Sequence, residues 1–449
     1  MDRGKFGKMG VILATAGSAV GLGNVWRFPY MTGENGGAAF ILIYIGCMLL
    51  LGIPGMVGEF IVGRHAGSNA ARAYDTLSKG HPWKFVGYLG ILTSALILGF
   101  YAVVAGWCLQ YLFASMMGHL SGDADYVMSY FSTFSSSPWK PCLWAVFFIV
   151  LTHMVVVRGV RKGIERASNL LMPTLLLLLI VLVVASCMLP DASKGIEFLL
   201  KPDFSKLNGE VFLEALGQSF FSLSLGTACL CTYASYFTKQ TNLIASAAQI
   251  ALLDTLIAIL AGLIIFPAAF SVGVEPGQGP ALIFITLPNV FNEAFAAVPV
   301  VGYVISIMFY ALLVFAALTS TISMHEIGTA FFHEELHWPR RNAAWILTTA
   351  CSVLAVLCAL SFGAYQQIQL FGMSLLDFFD NLTANVMLPL GSLLTCLFVG
   401  WYIPRQVVRD QLTNWGTLSG RFLSVYLVAV RYVCPLCIIL IFLHRLGVI

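Results

Sequence analysis

The sequence predicts an all-α protein that crosses a membrane many times, and three observations support this fold class. Of the 449 residues, 59% are hydrophobic and only 10% are charged, whereas soluble domains carry about 25% charged residues. Apolar runs of about 20 residues, the length that crosses a bilayer, recur along the whole chain. The net charge of +3 comes without a basic stripe or an acidic tail, so nothing indicates nucleic-acid binding.

Eleven apolar segments are predicted to span the membrane. They cover residues 9–32, 39–63, 85–114, 141–158, 168–189, 211–237, 243–272, 298–333, 343–362, 368–402 and 420–446. Lys and Arg concentrate in one set of connecting loops, which predicts a cytoplasmic N-terminus and, after eleven spans, an external C-terminus. The apolar segment 280–296 is too short to cross, and we expect it to be an external re-entrant or lid element.

Spans one and six both carry residues that weaken a helix in mid-membrane. Span one contains Gly17, Gly21 and Gly23, each of which destabilises a helix by about 1 kcal/mol relative to alanine. The Gly17–Gly21 spacing also fits a close-packing helix face, so both interpretations stay open. Span six contains a similar run between Ser219 and Ala228. Interrupted spans at matching places in two inverted halves indicate a central binding site.

The segments GSAVGLGNVWRFPY, ENGGAAF, GQSFFSLSLG, TYASY, GPALIFITLPNVF and ALTSTIS resemble the neurotransmitter:sodium symporter family, in particular its eleven-span bacterial amino-acid transporters. The resemblance implies a LeuT-type fold with broken helices 1 and 6. Its single transporter domain, residues 1–449, would contain inverted five-helix repeats at 1–189 and 211–402 and one extra C-terminal helix at 420–446. It also implies alternating access in a bacterial inner (plasma) membrane.

The resemblance further implies two Na⁺ sites. Sodium site one would use Ala19, Asn24, Ser222 and Asp254, together with the substrate carboxylate. Sodium site two would use Gly17, Val20, Ala316, Thr319 and Ser320. Ala316, Thr319 and Ser320 recur at i, i+3 and i+4, so they share one helix face. The alternative is that the two hydroxyls only bond back to their own helix.

The substrate pocket and the gates are assigned by the same resemblance. The pocket would be lined by Ser18, Ala19, Gly21, Gly23, Ile97, Tyr101, Phe221, Ser222, Ser224, Thr227, Ser320 and Met324. The Tyr101 hydroxyl would hold the substrate carboxylate, unless Tyr101 is an ordinary core residue. An outer gate would pair Arg27 with Asp380, with Phe221 and Gln218 between them and Asp377 in the same vestibule. An inner gate would pair Arg3 with Glu334. A structural ion pair is the alternative for Arg27 and Asp380.

The substrate class follows from three positions. Relatives that carry monoamines have an aspartate where this chain has Gly21, so we expect a neutral α-amino acid. Thr227 and Met324 favour room for a hydrophobic side chain. Ala228 stands where the family has a glycine, and we expect it to limit the unwinding of span six.

Chloride independence is expected from Asp254 and Ala258. In animal relatives a chloride ion is bound by residues that correspond to Tyr44, Gln218 and Ser222, together with an asparagine and a serine from span seven. Here Asp254 takes the place of that asparagine and Ala258 that of the serine. A fixed carboxylate can therefore replace the anion. The alternative is that Asp254 is protonated and only hydrogen-bonded.

Other functions are compatible with parts of the sequence. Residues 333–337 read His-Glu-Glu-Leu-His, the H-E-x-x-H pattern of zinc metalloproteases, although no third ligand is evident. Residues 434–437 read Cys-Pro-Leu-Cys within an apolar span, where a redox role is not expected. An amino-acid sensor or a channel on the same fold remains an alternative to a transporter.

Overall fold

The structure is a computed structural model that describes residues 5–273 and 282–445. The helices are α1 Lys8–Ala19, α2 Gly23–Glu34, α3 Ala38–Ala66, α4 Ala70–Ser78, α5 Lys84–Met116, α6 Ala124–Ser135, α7 Lys140–Val156, α8 Val160–Cys187, α9 Ala192–Leu200, α10 Gly209–Ser222, α11 Cys229–Ala234, α12 Leu243–Ser271, α13 Leu287–Ala294, α14 Pro299–Glu335, α15 Arg340–Phe362, α16 Leu375–Tyr402, α17 Arg405–Leu412 and α18 Leu423–His444. Strands β1 Gln369–Leu370 and β2 Met373–Ser374 form an antiparallel hairpin.

Within the described ranges, eight helices are individually long and apolar enough to cross a membrane. Two bent pairs bring the number to as many as ten: α1 with α2, at 55°, and α6 with α7, at 74°. The remaining predicted span, residues 211–237, consists of the two short helices α10 and α11. The tenth predicted span begins later than expected, because the β1–β2 hairpin occupies 369–374 and α16 starts only at Leu375.

The two predicted breaks are present. Helix α1 ends at Ala19, Val20 is extended (φ −68°, ψ 111°), and α2 begins at Gly23. Helix α10 ends at Ser222, and α11 begins at Cys229. Between them Ser224 (φ 53°), Gly226 (φ 83°) and Ala228 (φ 60°) are left-handed. The expectation that Ala228 limits unwinding is therefore wrong.

Long helices surround the two breaks. Helix α14 packs along α5 and also against α8 and α1, and α12 packs against α1, α2 and α3. Helix α11 lies against α3 and α14. The broken segments are thus held in the middle of the bundle. At that depth, backbone groups outside a helix are tolerated only if other protein groups hydrogen-bond them or if they line a cavity.

A short helical element packs at one end of the bundle. It comprises a short π-helix at Leu282–Thr286 followed by α13. The Tyr310 hydroxyl donates to the Ile283 carbonyl oxygen (2.8 Å), and the Phe284 ring stacks on Phe131 (centroids 5.7 Å apart) and meets the edge of Trp107. This part agrees with the predicted non-crossing element; residues 280 and 281 lie outside the described chain.

Candidate functional site

A cavity of about 50 Å³ lies where the two breaks meet. Its wall is formed by Ala19, Gly21, Gly23, Ile97, Phe100, Tyr101, Phe221, Ser222, Ser224, Thr227, Cys229, Ser320, Ser323, Met324 and Leu388. The wall includes eleven of the twelve positions expected for the substrate. The exception is Ser18, whose hydroxyl donates to the Thr15 carbonyl (2.6 Å). One water needs about 10–15 Å³ of such volume, so a large ligand requires a wall residue to move.

Sequence reasoning did not identify four of the wall residues. Phe100, Cys229, Ser323 and Leu388 line the cavity and are apolar or small, so no charge or motif distinguishes them. Ser323 lies one turn after Ser320 on α14, so the shared helix face could have indicated it.

The break between α1 and α2 presents backbone amides to the cavity wall. The Leu22 amide donates to the Tyr101 hydroxyl (3.0 Å), so this hydroxyl lies at the break; its contact with a substrate carboxylate stays a prediction. Gly21 allows the close approach: a Cβ there would lie 2.5 Å from the Ser320 Oγ and 3.0 Å from the Tyr101 hydroxyl. The glycine therefore serves close packing as well as unwinding.

Three of the four positions of predicted sodium site one, Asn24, Ser222 and Asp254, are brought together around the Asp254 carboxylate, which is fully buried. It accepts hydrogen bonds from the Asn24 amide nitrogen (2.7 Å), the Ser222 hydroxyl (2.6 Å) and the Tyr44 hydroxyl (3.2 Å). Ala19, the fourth position, lines the same cavity as Ser222. The Asn24 amide oxygen accepts from the Gly21 amide (3.0 Å), so a cation beside Asp254 would need this side-chain amide to turn over.

Oxygens also converge at the positions of predicted sodium site two. The Ser320 hydroxyl lies 3.1 Å and the Thr319 hydroxyl 3.4 Å from the Val20 carbonyl oxygen. The Thr319 hydroxyl is 3.0 Å from the Ala316 carbonyl oxygen, and a Cβ on Gly17 would be 3.3 Å from the Thr319 Cβ. Thr319 therefore bonds back to its own helix and also faces the break. A set made only of neutral oxygens suits a hard cation.

A buried acid supports the second break. The Glu59 carboxylate, on α3, accepts hydrogen bonds from the Gly226 amide (2.7 Å) and the Cys231 amide (3.2 Å). These are backbone donors that the interruption of the helix would otherwise leave unpaired. The sequence analysis did not select Glu59, although a carboxylate inside a span is a signal in itself.

A polar vestibule of about 660 Å³ adjoins the cavity. Phe221 lines both spaces, and the Arg27 guanidinium carbon lies 4.2 Å from the centre of the Phe221 ring. Asp377 and Asp380 line the vestibule as predicted, together with Glu34, Glu210 and Glu214. Gln218 is buried, and neither atom of its amide makes a hydrogen bond in the described structure; its place between the two gate charges stays a prediction.

Comparison with known proteins decides the family. The family model described as the sodium:neurotransmitter symporter family matches residues 3–125 and 140–448. The chain belongs to this family. It is 39% identical to the uncharacterized sodium-dependent transporter YhdH of Bacillus subtilis, over 98% of this chain and 97% of that protein. It is 34% identical to an uncharacterized sodium-dependent transporter of Haemophilus influenzae, over 97% and 96% of the respective chains.

A solved structure supports the same conclusion. The crystal structure of MhsT in complex with L-phenylalanine matches this symporter with a TM-score of 0.90 and 39% identity, over 99% of this chain and all of that one. The protein is therefore a transmembrane, sodium-dependent symporter with a LeuT-type fold, and it is not an enzyme.

The end of the symporter opposite the vestibule is closed by a polar network. The Glu326 carboxylate, fully buried, accepts from the Tyr236 hydroxyl (2.6 Å) and forms an ion pair with Arg340. The Phe6 ring packs edge-on against Tyr236 (5.6 Å), and the Phe6 amide donates to the Tyr236 carbonyl (3.2 Å). The sequence analysis missed this network, although Glu326 lies in a predicted span.

The predicted inner gate is described only in part. Glu334 accepts hydrogen bonds from the backbone amide (2.8 Å) and the side chain (3.1 Å) of Asn69, and Arg72 donates to the Glu334 carbonyl (3.0 Å). Arg3 lies outside the described residues. The pairing of Arg3 with Glu334 stays a prediction.

The zinc-protease interpretation is wrong for this symporter. Helix α14 ends at Glu335, and His337 is left-handed (φ 55°), so the two histidines do not share a helix face. His333 instead contacts the Trp338 carbonyl oxygen (2.6 Å). Within residues 5–273 and 282–445, no group of three or more His, Cys, Asp or Glu side chains could hold a metal, and Cys434 and Cys437 are both free thiols.

Proposed function

We propose that this symporter couples the transport of a neutral, hydrophobic L-amino acid to Na⁺, by alternating access and without chloride. The observation that carries the proposal is the cavity at the two helix breaks, which has backbone amides and Tyr101 on one side and the Asp254 cluster beside it. The related MhsT was solved with L-phenylalanine, an amino acid of the proposed class.

The two ends of the substrate would bind differently. Amides at the start of a half-helix favour a carboxylate, so the carboxylate would replace the Asn24 oxygen and the Tyr101 hydroxyl as acceptor of the Gly21 and Leu22 amides. The Tyr101 hydroxyl would then donate to it. The side chain would enter the part of the wall formed by Ile97 and Met324. Because methionine is flexible, a large side chain can be accommodated when Met324 adopts another rotamer.

Two Na⁺ ions would be transported with the amino acid. One would bind between Asp254, Ser222, Asn24, Ala19 and the substrate carboxylate, which makes amino-acid binding depend directly on this ion. The other would bind at the oxygens of Gly17, Val20, Ala316, Thr319 and Ser320, where it holds α14 to the break after α1.

The vestibule would be the external entrance, and Arg27, Phe221 and Asp380 would close it. The network around Tyr236 and Glu326, with Arg3 and Glu334, would close the opposite, cytoplasmic side. We place the protein in a bacterial inner membrane with its N-terminus in the cytoplasm, and assign residues 1–189 and 211–402 to two inverted repeats.

Uptake into proteoliposomes tests the proposal. Labelled L-phenylalanine should accumulate under an inward Na⁺ gradient, equally well in chloride and in gluconate, and should not accumulate when K⁺ replaces Na⁺. Phenethylamine, the same molecule without its carboxylate, should not compete. Competition by phenethylamine equal to that of phenylalanine would contradict the assigned carboxylate position, and sodium-dependent binding without uptake would favour a sensor.

A further inference from the structure

A groove of about 400 Å³ runs along the outer surface of the bundle between α7 and α15. We propose that it binds one acyl chain of an anionic phospholipid, whose headgroup lies at Arg158 and Arg341. The groove is lined by Val146, Val150, Trp345, Thr348, Thr349, Ser352, Val353, Val356 and Leu357. Neither the transport cycle nor the vestibule uses these residues.

The dimensions of the groove fit one acyl chain. From Trp345 to Leu357, α15 rises by about 18 Å at 1.5 Å per residue. The hydrocarbon core of a bilayer is about 30 Å thick, so one leaflet contributes about 15 Å. Both helices are apolar along the groove, and six of the nine residues that line it are valine, leucine or tryptophan. A chain entering from the leaflet at the Arg340 end would therefore fill the groove along its length.

The same end of the groove carries unneutralised positive charge. Arg340 donates to the Val156 carbonyl oxygen (3.2 and 2.9 Å), which joins the start of α15 to the end of α7. Arg340 itself is paired with Glu326. Its neighbours Arg158 and Arg341 are exposed, and no ion pair holds them in the described part of the chain. A phosphate at this position would meet two guanidinium groups, the type of donor that matches phosphate oxygens best.

Trp345 lies between the charged end and the apolar groove. Its ring is half exposed and packs at 4.2 Å from the His153 ring. Tryptophan is enriched at the level of lipid headgroups because its ring is apolar and its N–H is polar. The position of Trp345 therefore marks where the headgroup ends and the acyl chain begins.

The floor of the groove is connected to the transport core. The Thr348 hydroxyl lies 2.8 Å from His153 Nδ1 and 2.8 Å from His325 Nε2. His325 lies on α14, five residues after Ser320. A lipid in the groove would thus contact a residue that is hydrogen-bonded to the helix of predicted sodium site two.

Fluorescence quenching by brominated lipids tests the proposal with the full-length protein in nanodiscs. The readout is the Trp345 contribution, taken as the difference between the wild type and Trp345→Phe. Acyl-brominated phosphatidylglycerol should quench this contribution more strongly than brominated phosphatidylcholine at equal mole fraction. The preference for phosphatidylglycerol should fall roughly fivefold in Arg341→Gln, because one surface arginine contributes about that much to the binding of an anionic lipid. Arg409→Gln, an exposed arginine on α17, should leave the preference unchanged.

Filling the groove provides a second test. Val353→Phe should reduce quenching by both lipids, whereas Val181→Phe, on the exposed surface of α8, should not. Size-exclusion profiles check that the variants fold. Equal quenching by the two lipids that is insensitive to Arg341→Gln would overturn the headgroup assignment. Absence of Trp345 quenching together with a dimer that Val353→Phe dissociates would overturn the proposal in favour of a second copy of the chain.

Discussion

Replacing Asp254 by asparagine should weaken sodium binding about 10²- to 10³-fold in chloride-free buffer. The carboxylate oxygens are 2.6–3.2 Å from three hydrogen-bond donors, so an ion in this shell would lie within about 4 Å of the charge. At an effective dielectric constant near 20, that attraction is about 4 kcal/mol, and each 1.4 kcal/mol is tenfold in affinity. The fold should survive, because the new amide can accept from Ser222 and Tyr44 while Asn24 turns over.

The assay is sodium-dependent binding of a labelled amino acid to purified protein, titrated with Na⁺ in gluconate. The double variant Asp254→Asn with Ala258→Ser should regain affinity when chloride is added, because it introduces the asparagine and serine that the animal relatives have at these positions. Glu293→Gln, an exposed acid on α13, is the matched control and should bind like the wild type. Unchanged sodium affinity in Asp254→Asn, a wild type that needs chloride, or a double variant indifferent to it would each refute the reasoning.

Three further predictions concern the two breaks. Thr319→Ala with Ser320→Ala should abolish sodium-dependent uptake in proteoliposomes without lowering the yield of folded protein. Unchanged sodium affinity in this double variant would refute the assignment of sodium site two. Gly21→Ala should lower substrate affinity more than tenfold, since its Cβ would lie 2.5 Å from the Ser320 Oγ, whereas Gly46→Ala, whose Cβ meets nothing within 4 Å, should bind normally. Glu59→Ala should destabilise the protein by about 2–6 kcal/mol, since two buried amides lose their acceptor at about 1–3 kcal/mol each; an unchanged thermal unfolding midpoint would argue against this role.

The positions of the two breaks could be predicted from local sequence, but the full extent of the second could not. Gly21 and Gly23 indicated the first break, because glycine is a poor helix former and leaves room for neighbours. Ala228 indicated the opposite of what the structure shows, since a left-handed alanine costs roughly 1–2 kcal/mol. The compensation comes from Glu59, more than 160 residues earlier in the chain, which bonds amides on both sides of Ala228. A contact of this kind leaves no trace in the local pattern of span six.

The candidate site divides in the same way. Residues in distinctive motifs, such as Asn24, Ser320 and Tyr101, were predicted and lie together. Phe100 and Leu388 were not, because apolar wall residues look like any other core residue until the helices are placed. Gln218 is buried on α10 and its amide makes no hydrogen bond in the described structure, so its expected place between the gate charges stays a prediction.

The position of Phe221 links the size of a bound ligand to the closure of the vestibule. The ring forms part of the cavity wall, and the Arg27 guanidinium carbon lies 4.2 Å from its centre, so a shift of the ring would displace that charge. An amino acid small enough to let the ring adopt its closed position would be enclosed in the cavity and transported. A bulkier one could occupy the same cavity yet hold the ring and Arg27 apart from their closed arrangement, and it would act as a competitive blocker instead of cargo. The boundary between transported ligands and inhibitors would then be set by one aromatic ring.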